Sequence, residues 1–124
     1  PGMDHEQVGQ FLDKGFEQAG IDGFRRTLHF YMPGGEIPQD DRFVKLCLEE
    51  REHLFGIKSD PQPFDASCEQ CFLAREGIQT VICGPGDIAQ AHTVGEFTWE
   101  KQVRDAVSLY ERIIDRVLYK TNYI

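Results

Sequence analysis

The chain has 124 residues and carries 13 Lys and Arg against 21 Asp and Glu, a formal charge of −8. Hydrophobic residues make up 40%, and nine Phe, four Tyr and one Trp are spread along it, which excludes intrinsic disorder. No window approaches the ~20 consecutive apolar residues of a membrane helix, and acidic surfaces repel a phosphate backbone, so neither membrane nor nucleic acid is expected as a partner.

Asp4 followed by Gln7 reads as a helix N-cap with its reciprocal partner. Val8, Phe11, Leu12, Phe16 and Ala19 then recur at helical spacing, and Gly20 closes the segment. From Phe24 to Met32, Leu28, Phe30 and Met32 alternate with Thr27, His29 and Tyr31, the period of a strand covered on one face. His29 falls on the polar face as a solvated side chain. Pro33-Gly34-Gly35-Glu36-Ile37-Pro38 breaks the periodicity and marks the one candidate domain boundary, dividing 1–36 from 37–124.

Past that boundary, 39–55 reads as a helix with Phe43, Leu46, Cys47, Leu54 and Phe55 on its apolar side and Gly56 as its stop. Glu49, Glu50 and His53 belong to its solvated face. Two prolines limit 57–64 to a short edge-like strand. Asp65 is placed to cap a helix running to Gly77, and Ile78 to Cys83 reads as a buried strand ended by Gly84. The last helix is the clearest element. Val103, Ala106, Val107, Tyr110, Ile113, Ile114, Val117 and Leu118 form one stripe, opposite Lys101, Arg104, Asp105, Glu111, Arg112 and Asp115. Three helices and two candidate strands past residue 37 predict an α/β class in which a partial parallel or mixed sheet carries flanking helices. Two strands cannot cover and bound a sheet, so one side of a larger layer structure is expected.

Cys47 and Cys83 sit in apolar patterns, as small buried hydrophobes do. Cys68-Glu-Gln-Cys71 has the spacing of redox and zinc sites, but a zinc ribbon needs a second pair, and the simpler expectation is two helical residues without joint chemistry. A thiol-redox role would require a depressed thiolate pKa. The opening PGMDHEQ shows neither a basic start nor an apolar core of a secretory signal, so reduced thiols and a cytoplasmic location are expected. No initiator Met precedes Pro1, which leads us to expect a piece of something longer.

Candidate chemistry concentrates in Cys83-Gly-Pro-Gly-Asp-Ile-Ala-Gln-Ala-His92-Thr-Val-Gly-Glu96-Phe97. This is a long loop leaving the end of a predicted strand, the position where open α/β sheets bind ligands. Gly84-Pro85-Gly86 permits a sharp turn and close backbone approach, and His92 precedes Glu96 by four residues. On spacing alone, His92 is a surface histidine with a capping glutamate, because one histidine does not make a metal site.

The segment GPGDIAQAHTVGEF resembles the C-terminal motif of the co-catalytic zinc deacylases and exopeptidases, the acetylornithine deacetylases among them. Phe64-Asp65-Ala66-Ser67, a helix and Gly77-Ile78-Gln79-Thr80-Val81 resemble the family's Thr-Asp-Ala, helix and Gly-Ile-Pro-Thr-Val, with Gln79 where Pro is usual. Pro1-Gly2-Met3, a helix and a strand are similar to the end of its ferredoxin-like lid domain.

What the resemblance implies is a lid remnant over 1–36 and the C-terminal part of the catalytic domain over 37–124. His92 would ligate one of two bridged divalent ions (zinc, or cobalt or manganese), with Glu96 fixing the loop or the second shell of that ligand. Gly84, Pro85 and Gly86 would shape the pocket for an N-acyl amino acid, and the lid would support a homodimer. The family's other ligands and its general base belong to an N-terminal His-x-Asp, a bridging Asp and a Glu-Glu pair. No His-x-Asp occurs here, so no catalytic residue is assigned within the chain, and it is expected to be inactive alone. The alternative expectation is a non-catalytic binding module derived from the same family.

Overall fold

A computed structural model of the chain describes residues 2–119; Pro1 of the lid resemblance and residues 120–124 lie outside the described residues. Four α-helices follow in order: α1 His5–Gln18, α2 Arg42–Phe55, α3 Gln70–Arg75 and α4 Glu100–Leu118, with one 3-10 turn at Ile88–Gln90. The chain divides into two compact units, one of residues up to Ile37 together with Asp65–Thr80, the other of Pro38–Phe64 together with residues from Val81 onward.

In the first unit, the Asp4 carboxylate accepts the Gln7 amide at 2.8 Å while Gln7 Oε1 accepts the Asp4 amide at 2.9 Å, the reciprocal cap the sequence predicts. After Gly23 the chain runs beside α1, held by side chains. Arg26 forks onto Asp13 at 2.8 and 3.0 Å, and the Phe16 and Phe24 rings lie 4.6 Å apart. Tyr31 donates its hydroxyl to the Met3 carbonyl at 2.5 Å. Gly9 is buried beneath Arg26, and a Cβ there would stand 2.5 Å from the guanidinium nitrogens. α3 is shorter than predicted: Asp65 does not cap it, and its first helical residue is Gln70.

The α/β expectation is overturned. Among the described residues there is no strand and no sheet, neither the partial catalytic sheet nor an α-β lid remnant. Residues 24–32 and 78–83 have the predicted alternation and apolarity but no ladder partner. Leu28 and Phe30, expected on a covered face, are exposed, as are Ile78 and Ile82. Periodicity reports which side chains would share a face; a strand also needs a neighbour for its backbone groups, and these segments have none among the described residues.

The second unit is organised by α2 against α4. Asp41 accepts the Phe43 amide at 2.7 Å and starts α2, while Gly56, at φ 66°, stops it in the left-handed conformation that glycine tolerates. Gln102 Oε1 accepts the Trp99 amide at 3.2 Å to open α4. Val44 and Leu46 of α2 and Leu109 of α4 are buried. Glu50, read from sequence as solvated, is only 3% exposed. Its carboxylate accepts Arg112 Nε at 2.5 Å and Arg116 at 2.9 Å, and Arg116 also reaches Glu49 at 2.9 Å.

The packed side of α4 is offset from its apolar stripe: half-buried Ala106, Ile113 and Val117 of the stripe lie on it, beside Leu109, Arg112 and Arg116. A carboxylate taken out of water requires compensating donors, so the Arg112 and Arg116 side of α4 turns toward α2 and brings Leu109 with it. Val103, Val107, Ile114 and Leu118 are left exposed. No helix among the described residues is long and apolar enough to cross a membrane.

Candidate functional site

The loop between Val81 and α4 starts at an anchor the sequence does not announce. Tyr110, assigned to the apolar stripe of α4, donates its hydroxyl to the Cys83 carbonyl at 2.8 Å. A phenol at the edge of a stripe, with a polar tip able to reach past it, is the only sequence signal for this contact. Gly86 follows at φ 98°, a conformation open to glycine and costly for other residues. Gly84, Pro85 and Gly86 wall an open groove of about 570 Å³, with Arg51, Leu54 and Phe55 of α2 and Lys101, Asp105 and Leu109 of α4 on its other sides. His92 is not among its lining residues.

Asp87 accepts the Ala89 amide at 2.9 Å and sets the 3-10 turn. Ala91 at φ −57°, ψ 138° and His92 at φ 63° are then the two central residues of a type II turn closed by the Thr93 amide on the Gln90 carbonyl at 3.2 Å. The second central position of such a turn favours glycine; here it carries an imidazole, and His92 is the one non-glycine residue at positive φ among those described. Glu96 Oε2 accepts the His92 amide at 3.1 Å. The sequence-predicted pair is therefore adjacent, but the carboxylate holds the backbone of His92, and none of the described hydrogen bonds reaches its ring. His92 is exposed.

No group of three or more His, Cys, Asp or Glu among the described residues is placed to hold a metal ion. The donors present fit one position of a metal centre, a single exposed imidazole on a fixed backbone, and not a centre of their own. Neither Cys47 nor Cys83 is an activated thiol. Burial and then the nearby Cys83 charge push the Cys47 thiol up to about 11, and burial raises Cys83 against the opposing charge of Arg51. All four cysteines are free; Cys71 is buried and donates its thiol to the Cys68 carbonyl at 3.1 Å, just ahead of and inside the first turn of α3.

The sequence model of Peptidase family M20/M25/M40 matches residues 17–116, a span that includes α2, the loop of His92 and nearly all of α4. The chain belongs to that family. The resemblance read from the GPG-to-Glu segment is thus borne out for the family as a whole. Among curated relatives, an acetylornithine deacetylase of Pectobacterium carotovorum is 30% identical over 87 residues, 70% of this chain and 21% of that protein. An acetylornithine deacetylase of Photorhabdus laumondii is 27% identical over 95 residues, 77% of this chain and 23% of that protein. The chain therefore spans about a fifth of the length of these two relatives. No solved structure matches it.

Proposed function

We propose that this chain is the C-terminal part of a metal-dependent amidohydrolase that removes the acyl group from an N-acyl amino acid. The observation that carries the reading is the family match over 17–116 with His92 exposed at its far end on a backbone tied by Glu96. In this reading His92 supplies one ligand of a two-ion centre of zinc, cobalt or manganese, and Glu96 fixes that ligand's loop. Gly84, Pro85 and Gly86 contribute a wall of the substrate pocket. Bound divalent metal supplies Lewis acidity toward the amide carbonyl. Residues 1–36 are the end of a lid through which the complete enzyme pairs as a homodimer, and 37–124 the end of its catalytic domain. Four free cysteines support a reducing, cytoplasmic location.

The chain alone is inactive, because it has one ligand where a catalytic zinc takes three protein ligands. Calorimetry of zinc into the isolated chain should show no tight stoichiometric binding, and the chain should not hydrolyse N-acetylornithine. Tight binding abolished by His92→Ala, or hydrolysis by the chain itself, would overturn the reading. The same single-donor observation supports the second reading, a non-catalytic module of the family that retains the loop without the centre. Hydrolysis by a protein that contains this chain, lost on His92→Ala, would eliminate that alternative.

A further inference from the structure

Between residues 82 and 101 every residue is exposed except Gln90 and Ala91, which are half-buried. No helix longer than one turn and no core shields this stretch, yet it holds His92 in a conformation that residues with a Cβ avoid. The bonds that keep it there converge on one side chain and its own peptide groups. Gln90 donates its amide to the Asp87 carbonyl at 3.0 Å, and its carbonyl accepts both the Thr93 amide at 3.2 Å and the Thr93 hydroxyl at 2.8 Å. Its side-chain Oε1 accepts the Phe97 amide at 3.4 Å.

We propose that Gln90 is a positioning residue for His92, closing the loop on both sides of it so that the imidazole projects from one fixed place. The two closures differ in kind. The carbonyl of Gln90 closes the type II turn in which His92 occupies the glycine-favouring position. Its side chain reaches over that turn to Phe97, the residue after Glu96, and so seats Glu96 where its carboxylate meets the His92 amide. Without the Oε1 bond the far end of the loop keeps the Glu96 amide on the Thr93 carbonyl at 3.2 Å and the Glu96 carboxylate on the His92 amide at 3.1 Å, but it loses its tie across the turn to Gln90, and His92 gains freedom to return to negative φ. That relaxation turns the Cα–Cβ direction and moves the ring. A metal ligand needs its nitrogen placed in advance, since each ordering step left to the binding event lowers affinity.

This proposal rests on the reading of His92 as a ligand, but its test reads the loop alone. In the intact chain, Gln90→Leu removes the acceptor at similar size, whereas Gln90→Glu keeps one. NMR should show the positive-φ signature of His92, in its amide–Hα coupling and intraresidue contacts, lost in Gln90→Leu and kept in Gln90→Glu. Exchange of the His92 and Phe97 amides should rise about five- to tenfold in Gln90→Leu only, the worth of one hydrogen bond. The α2 and α4 signals should stay unchanged in both variants. A wild-type His92 signature in Gln90→Leu, or a loss that Gln90→Glu does not restore, would overturn the proposal without touching the zinc test, which stands or falls on His92 itself.

Discussion

The α2–α4 pair and the loop from Asp87 to Phe97 belong to the same compact unit but are ordered by opposite means. The helices meet through buried Leu109 and a carboxylate withdrawn from water between two guanidinium groups. The loop has almost nothing buried and is shaped by side chains that cap its own peptide groups. Large burial tolerates little change, whereas a web of exposed hydrogen bonds is cheap to alter locally and leaves the helices intact. A candidate ligand carried on such a loop is fixed in direction without being enclosed, so its ring stays available to a group outside the loop.

The sharpest way to break that contrast is Glu50→Ala. Removing one member of a buried ion cluster costs about 3–5 kcal/mol, and here the lower end is expected because Arg112 and Arg116, 38% and 30% exposed, can rehydrate. Urea unfolding followed by helix signal should show the lowered midpoint, with His92 loop contacts unaffected in the folded fraction. Burial pushes the Glu50 carboxyl up, but the hydrogen bonds and charges of Arg112 and Arg116 outweigh it and hold it below the usual carboxylate range. A depressed folded-state pKa adds stability above the ordinary glutamate value of about 4.3 and loses it as pH falls through the folded value. Wild-type α2–α4 stability should therefore decline on acidification below about pH 4.3, and Glu50→Ala should flatten that part of the decline. An unchanged acid profile in the variant would show that Glu50 is not the group responsible.

Leu109→Ala comes next. Truncating a buried leucine costs about 2–5 kcal/mol, and the open groove beside Leu109 lets water fill part of the space, so about 2–3 kcal/mol is expected. Val107→Ala, about 200° around the helix on the exposed side, should change the same urea midpoint far less. Equal losses at the two positions would mean that α4 packs by its apolar stripe after all.

The stripe itself shows what was legible in the sequence and what was not. The positions of α1, α2 and α4, the Asp4–Gln7 cap and the Gly56 stop follow from local chemistry, which one chain segment contains in full. Which side of α4 packs does not, because that side carries the pairing of Arg112 with Glu50, 62 residues away in sequence. The missing strands fail for the same reason, since a ladder is a property of two segments. At the site, the His92–Glu96 pair was visible from spacing because four residues is the reach of a loop-closing side chain. The type II turn was not, since a histidine in a glycine-favouring position carries no turn signature.

The finest test lies where helix and loop meet. Tyr110→Phe removes only the hydroxyl that α4 donates to the Cys83 carbonyl. The net worth of such a bond is about 0.5–1.5 kcal/mol, and an exposed carbonyl can turn to water instead, so about 0.5 kcal/mol is expected in the urea midpoint. If the loop is ordered by its own caps, exchange at His92 and Phe97 should not change in this variant while Gly84 and Pro85 shift their NMR resonances. If instead the His92 signature weakens with Tyr110→Phe, order in the loop is borrowed from α4, and the division between a packed pair and a self-capped loop does not hold.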